Sequence, residues 1–153
     1  MAAVVADASP LIALHQIGVL SVLSRLFSQV DIPPEVADEV SPSIPILPAW
    51  VLVRQLTQPV NRVISSAGLG RGETAALGLA QQLNADLVIL DDRAARRLAL
   101  ELGLAVAGTA GILGRAKRER LIPAVRPHLE RLLALGFRLA PSIVQRALAD
   151  AGE

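Results

Sequence analysis

The chain has 153 residues, of which 52% are apolar and 19% charged. That is the length of one domain, able to bury roughly two thirds of the surface its unfolded form exposes, and the apolar content excludes a disordered segment. The formal net charge is only +1, yet nine of the fifteen Lys and Arg residues lie between Arg93 and Arg131. Such a skew serves a phosphate backbone or a set of solvated helix faces equally well.

The apolar residues are mainly Ala, Leu, Val and Ile, with two Phe, one Trp and no Tyr. Layers of aliphatic strands and helices use such a composition well, but it offers few platforms for stacking bases. Absence of cysteine excludes a disulfide scaffold and thiolate zinc, and suits a cytoplasmic setting. Asp7 interrupts the short apolar opening, which has no basic leader, so no signal peptide is expected. No run of ~18 uninterrupted apolar residues occurs, so no membrane partner is expected.

In chain order, Ala2–Ala6 reads as a buried strand ending at Asp7. Ser9-Pro10 reads as an N-cap followed by proline at the first helical position, with the helix running to Gln16 and broken by Gly18. Val19–Phe27 reads as helix, Gln29–Ile32 as strand, and Glu35–Val40 as a helix entered through Pro33-Pro34. A proline-rich loop, Ser41–Pro48, leads to an edge strand at Trp50–Arg54 and a helix at Val60–Ser66. The segment Gly68-Leu69-Gly70-Arg71-Gly72 is the clearest breaker, read as a tight turn before Glu73.

Beyond it, Ala76, Leu77, Ala80 and Leu83 recur at helical spacing, giving a helix Glu73–Leu83 that Asn84 ends. Leu87–Leu90 reads as a buried strand with Asp91 and Asp92 at its exit, and Ala94–Leu102 as helix. Leu104–Ala107 reads as a last strand, followed by a Gly-Thr turn and helices near Ala110–Lys117, Ala124–Leu135 and Ser142–Ala149. Alternating strands and helices imply a three-layer α/β/α fold with a central, mainly parallel sheet, in one domain spanning residues 1–153. The C-terminal helices, from about residue 123, are expected to pack on that domain or on a partner. In such sheets the ligand site lies at the carboxyl ends of the strands.

Acidic residues recur at those strand exits and helix starts. Asp7 follows the first strand, Asp91 and Asp92 follow the Leu87–Leu90 strand, Glu73 opens a helix, and Glu39 lies in the helix behind Pro33-Pro34. Two carboxylates ~5 Å apart repel by roughly 3 kcal/mol at an effective dielectric of 20. Four together need a counter-charge, and Mg²⁺ or Mn²⁺ provides it through oxygen ligands, polarising phosphate and lowering the pKa of bound water. Singly, these acids have ordinary explanations. Glu73 complements a helix dipole, Asp92 reads first as a helix N-cap, and two of Glu35, Asp38 and Glu39 are expected to be solvated.

In this order the motifs resemble those of the PIN-domain family. Val5-Ala6-Asp7-Ala8-Ser9-Pro10-Leu11-Ile12 is similar to the opening of those domains, where the first strand ends in a metal-binding Asp followed by Ser or Thr two positions on. Ile32 through Val40 resembles the second motif, with the acid at Glu39, and Gly72-Glu73-Thr74 through Asp91-Asp92 the third and fourth. The likeness continues through Gly108–Leu113 and the basic Arg115–Leu121 stretch to Phe137.

The resemblance implies that Asp7, Glu39, Glu73 and Asp91 are catalytic and hold one or two Mg²⁺ or Mn²⁺ ions, with Asp92 a fifth acid. Ser9 and Arg93 are expected to contact substrate. The implied activity is metal-dependent RNA endonuclease, as in the toxins of bacterial toxin–antitoxin pairs, and the implied partners are RNA, an antitoxin protein and a second copy of the chain. Glu73 stands where the toxin branch more often has Asp, and Asp92 replaces the usual aromatic after the fourth acid, which points to a side branch.

Two other readings compete. A haloacid-dehalogenase-like phosphatase would use Asp7 as nucleophile, but its general acid belongs where Ser9 stands. A non-enzymatic PIN scaffold would bind RNA or protein without needing all four acids. Gly68–Gly72 has no Walker lysine and is no nucleotide loop. His15, on an apolar helix, reads as a satisfied core or boundary residue.

Overall fold

The structure is a computed structural model describing residues 3–153, so the expected strand start at Ala2 lies outside the described residues. Five short parallel strands form one sheet: β1 (Val4–Ala6), β2 (Val30–Ile32), β3 (Val51–Val53), β4 (Leu87–Ile89) and β5 (Val106–Ala107). Their spatial order is β3-β2-β1-β4-β5. The chain builds outward from β1 to one edge, then returns to the other side of β1. Strand order therefore reverses beside β1, the place where open α/β sheets leave a crevice at their carboxyl ends.

The helices of the first half are α1 (Ala8–Gln16), α2 (Val22–Phe27), α3 (Pro34–Val40), α4 (Arg62–Ser65) and α5 (Arg71–Gln82). Those of the second half are α6 (Arg93–Glu101), α7 (Thr109–Arg118), α8 (Arg126–Ala134) and α9 (Pro141–Asp150). They cover both faces of the sheet, so β1 and β2 are buried throughout and read as unbroken apolar stretches rather than alternating ones. Leu11, Leu14, Leu77, Leu79, Ile89, Leu90, Ile112 and Leu113 are among the largest fully buried side chains and make the core from aliphatic volume.

The expected elements all form, and the differences sit at their ends. Asp7, rather than Ser9, is the N-cap of α1, which starts at Ala8 and takes Pro10 into its first turn. The turn tolerates proline there because its N–H has no intrahelical acceptor in any case. α4 is shorter than the sequence suggests, since Asn61 Oδ1 accepts the Val63 N–H at 2.8 Å and fixes its start. α5 begins inside the glycine segment, at Arg71, so Gly72 is helical and only Gly68 of the three glycines has positive φ, 76°. Gly108 is the N-cap of α7, with Thr109 in the helix rather than in a turn. His15 is exposed, which corrects its reading as a core or boundary residue.

At the C-terminal end, Leu129 and Leu132 carry α8 into the core, whereas α9 packs on α7 and buries no residue fully. Val144, Ala147 and Leu148 of α9 pack partly buried against the core, and the residues after the helix add polar ties. The Glu153 carboxylate accepts the Val125 and Arg126 N–H groups at 2.7 and 3.0 Å and the Lys117 ammonium at 3.0 Å, while Lys117 also donates to the Ala151 carbonyl at 2.6 Å. Those backbone donors, helped by Lys117, hold the Glu153 carboxyl at a pKa of about 2, below the ordinary 4.5. A depressed acid pKa stabilises the fold fully above 4.5 and loses that contribution as pH falls toward 2. Glu153→Gln is therefore expected to speed amide exchange in α9 and the Val125–Arg126 turn at pH 7. Acidification of the wild type toward pH 2 is expected to lower the protection factors of the same amides, measured against the intrinsic exchange rate at each pH.

A carboxylate cleft at the end of the central strand

Two acidic side chains are buried among the described residues, and their surroundings differ. Asp31, in β2, accepts Gln29 Nε2 at 2.9 Å and Arg54 Nε at 3.2 Å, so its charge is matched. Asp7, 3% exposed, has no basic partner, and its Oδ1 makes no hydrogen bond at all. Burial raises the Asp7 carboxyl from 3.8 to about 7; the nearby backbone at Ala8 opposes the rise, while the charges of Glu73, Glu39 and Asp91 add to it. An unpaired buried oxygen that also feels the charges of three other carboxylates is costly to keep unless something else binds there.

The fold brings these acids together by different routes. Asp7 ends β1, and its N–H donates to the Ile89 carbonyl of the neighbouring β4 at 3.0 Å. Asp91 leaves that same β4 two residues later. It is clamped by Thr109, whose backbone N–H donates to Oδ1 at 2.8 Å and whose hydroxyl donates to Oδ2 at 2.5 Å. Hydrogen bonds to an ionised acceptor contribute about 2 kcal/mol each, so the clamp offsets much of one carboxylate–carboxylate repulsion. Glu73 stands in the first turn of α5. Asp7 and Glu73 thus occupy helix N-termini, where the backbone favours negative charge.

Glycines make room for the others. A Cβ on Gly72 would lie 2.5 Å from Glu39 Oε1, and one on Gly108 would run into the Arg96 guanidinium and lie 2.8 Å from Asp91 Oδ1. A Cβ on Gly70 would run into the Glu73 carboxylate. The glycines at the start of α5, read from sequence as a tight turn, act here chiefly as clearance for acidic side chains, and the one before α7 clears both Arg96 and Asp91.

Asp7, Ser9, Glu73, Asp91, Asp92, Thr109 and Arg138 line a cleft of about 290 Å³ at this edge. Glu39 stands outside that lining, exposed on α3, and acts on Asp7 through its charge. Asp92 spends Oδ2 on the Ala95 N–H at 2.9 Å and so caps α6, as its position in the sequence suggests. Arg93 does not line this cleft; it faces a second groove beside it. Thr109 and Arg138 are the polar residues of the cleft that reading the sequence for acids passes over. Thr109 had a signal in its place directly after a Gly at a strand end, and Arg138 had none.

The sequence profile of a family described as a PIN domain matches residues 3–153. The chain belongs to the PIN-domain family. No curated protein matches it closely enough to count as a relative. Both the profile and the parallel three-layer architecture thus bear out the resemblance drawn from the four acidic motifs.

The donor set of this PIN domain suits a hard divalent cation, since every acidic group at the cleft offers carboxylate oxygens and neither His nor Cys lines it. Among the described residues, no three acidic or histidine side chains already stand as a closed metal cage. Asp7 supplies the unpartnered oxygen such an ion would use. Because Asp7 holds its proton up to about pH 7, binding of a cation there would release a proton and tighten as pH rises.

For an acid whose folded pKa is raised, the penalty is absent below 3.8, grows as pH rises, and is complete above about 7. In EDTA, Asp7→Asn should therefore gain stability relative to wild type as pH increases from 4 to 7, by at most about 4 kcal/mol, as read by urea denaturation. A difference that does not change with pH would show that Asp7 carries no such penalty. Gly72→Ala should leave stability unchanged or raise it by up to ~1 kcal/mol through helix propensity, because the flexible Glu39 side chain can move aside. The same change should reduce thermal stabilisation by Mn²⁺.

Proposed function

We propose that this PIN domain is a divalent-metal-dependent endoribonuclease. The observation that carries the reading is the unpaired, buried Asp7 carboxylate at the carboxyl end of the central strand, with Glu39, Glu73 and Asp91 acting on it. An Mg²⁺ or Mn²⁺ ion held there would neutralise the acids, polarise a phosphate and make water a competent nucleophile at neutral pH. Asp7, Glu39, Glu73 and Asp91 are the proposed catalytic ligands.

The residues around them have distinct tasks. Thr109 fixes both oxygens of Asp91, so that this ligand's orientation is set before substrate arrives. Asp92 is a helix cap beside the ligands, with its second oxygen left for an outer contact. The exposed Ser9 hydroxyl borders the cleft and would donate to a phosphate oxygen or a bound water. Arg93, in the adjoining groove, would meet substrate away from the scissile bond. We assign the chain to a cytoplasmic role on its lack of cysteine; among the described residues no helix is long and apolar enough to cross a membrane.

A toxin role with an antitoxin protein as partner, and a homodimer, extend this proposal. Several large apolar side chains stay exposed, Ile46 at 87% and Leu100 at 63% foremost, and a protein partner or second copy would cover such residues.

The chemistry is tested with purified protein and labelled RNA in Mg²⁺, in Mn²⁺ and in EDTA. Cleavage should need the divalent ion. Asp7→Asn should abolish it, because the ligand charge that retains the ion is gone, with the fold intact by circular dichroism. Asp92→Asn should cut nearly as well as wild type, because Asn caps helices about as well as Asp. Wild-type rates from Asp7→Asn in Mn²⁺ would overturn the assignment, whereas equal damage from both variants would make Asp92 a ligand.

A further inference from the structure

Beside the acidic cleft runs a larger groove of about 860 Å³, between α6, α7, α9 and the β5 edge of the sheet. Six arginines line it: Arg93 and Arg96 from α6, Arg115 and Arg118 from α7, Arg138 from the α8–α9 connection, and Arg146 from α9. Only two acids line it, Asp91 and Asp150. Arg115 and Arg146 are partly engaged, by Glu119 at 3.8 Å and Asp150 at 3.9 Å. Arg93, Arg96, Arg118 and Arg138 have no carboxylate within ion-pair distance among the described residues. A protein of net charge +1 thus concentrates much of its positive charge along one channel.

That channel joins the cleft. Asp91, Arg138 and Leu139 line both, so a chain lying in the groove leads directly to the proposed ligands. We propose that the groove holds the sugar–phosphate backbone of single-stranded RNA flanking the bond to be cut, with Arg138 engaging the phosphate at the junction. The inference rests on the nuclease reading for its direction, but its charge argument stands without it.

Two features favour RNA over an acidic peptide. The arginines come from three helices and one connection and are spread along the channel, which suits a charge repeated at every nucleotide. No aromatic residue lines it, so binding would rely on phosphates rather than stacked bases, would tolerate many sequences and would be strongly salt-dependent. The basic cluster seen in the sequence, Arg93 to Arg131, supplies four of these arginines, whereas Arg138 and Arg146 are added only by the fold.

The test is fluorescence anisotropy of the full chain with a 5′-labelled, mixed-sequence RNA twelvemer in EDTA, across a range of NaCl concentrations. Arg93→Ala/Arg118→Ala removes two exposed side chains and is expected to fold as wild type. Its affinity should fall on the order of tenfold, and its salt slope should shrink by about 0.7 for each phosphate no longer neutralised. Arg138→Ala should weaken binding in the same way. Arg131→Ala, on α8 outside both cavities, should change neither quantity.

Affinity and salt slope in the double variant equal to those of Arg131→Ala would overturn the proposal. So would a poly-glutamate peptide that binds through these arginines under conditions where the RNA does not, which would make the groove a protein-docking site. Because EDTA removes the divalent ion, binding is read without cleavage. Groove-dependent binding by a chain that never cuts in Mn²⁺ sinks the nuclease reading alone. Cleavage by a chain whose groove variants bind normally sinks this inference alone.

Discussion

Like-charge repulsion at the carboxyl edge of the sheet sets the terms for the chain around it. Acidic side chains from the end of β1, from α3, from α5 and from the end of β4 meet at this edge, where Glu39, Glu73 and Asp91 all raise the Asp7 carboxyl through their charge. The protein moderates this locally. Asp7 and Glu73 sit at helix N-termini, Asp92 caps α6, and Thr109 satisfies both oxygens of Asp91. Asp7 receives no such relief at Oδ1; its burial first, with the charges of Glu73, Glu39 and Asp91 adding to it, raises its carboxyl to about 7. The contrast with Asp31, buried to the same degree but matched by Arg54 and Gln29, shows that the fold can neutralise a buried acid where it has reason to.

Much of this was readable in the sequence, and the limit has a physical cause. Acids that directly follow apolar strands announce themselves, since strand direction fixes the edge at which they emerge. Asp7 and Asp91 are of that kind, and the parallel sheet sets them on adjacent strands. Glu73 stood out by opening a helix, but choosing Glu39 over Glu35 and Asp38 needed the resemblance, because a helical residue's direction depends on how the helix is docked. What the sequence hid were interactions across long separations. Thr109 reaches back 18 residues to Asp91, and Gly72 lies against Glu39 from another helix.

The glycines show why local rules misled. Glycine density ahead of Glu73 reads as a turn, because glycine most often serves backbone freedom. Here Gly70 and Gly72 have ordinary backbone angles and sit at the start of α5. Their use is the missing Cβ, which clears space for carboxylates arriving from elsewhere. Gly108 likewise makes room, for the Arg96 guanidinium and Asp91 together. No local pattern distinguishes these uses, since the deciding atom belongs to another side chain, often one distant in sequence.

The aliphatic core bears on the site as much as the acids do. Strands of only two or three residues would place ligands poorly if they were free to shift, yet each is held under helices packed with Leu, Ile and Val. The densely packed interior resists the displacement that mutual repulsion of the acids would otherwise drive. Repulsion relieved by relaxation would leave nothing to attract a cation, whereas repulsion held in a rigid frame becomes affinity for one. The scaffold's stability and the proposed site's ion affinity are therefore drawn from the same packing. The negative cleft and arginine groove, joined at Asp91 and Arg138, extend that arrangement, setting the proposed metal seat beside the proposed path for phosphate.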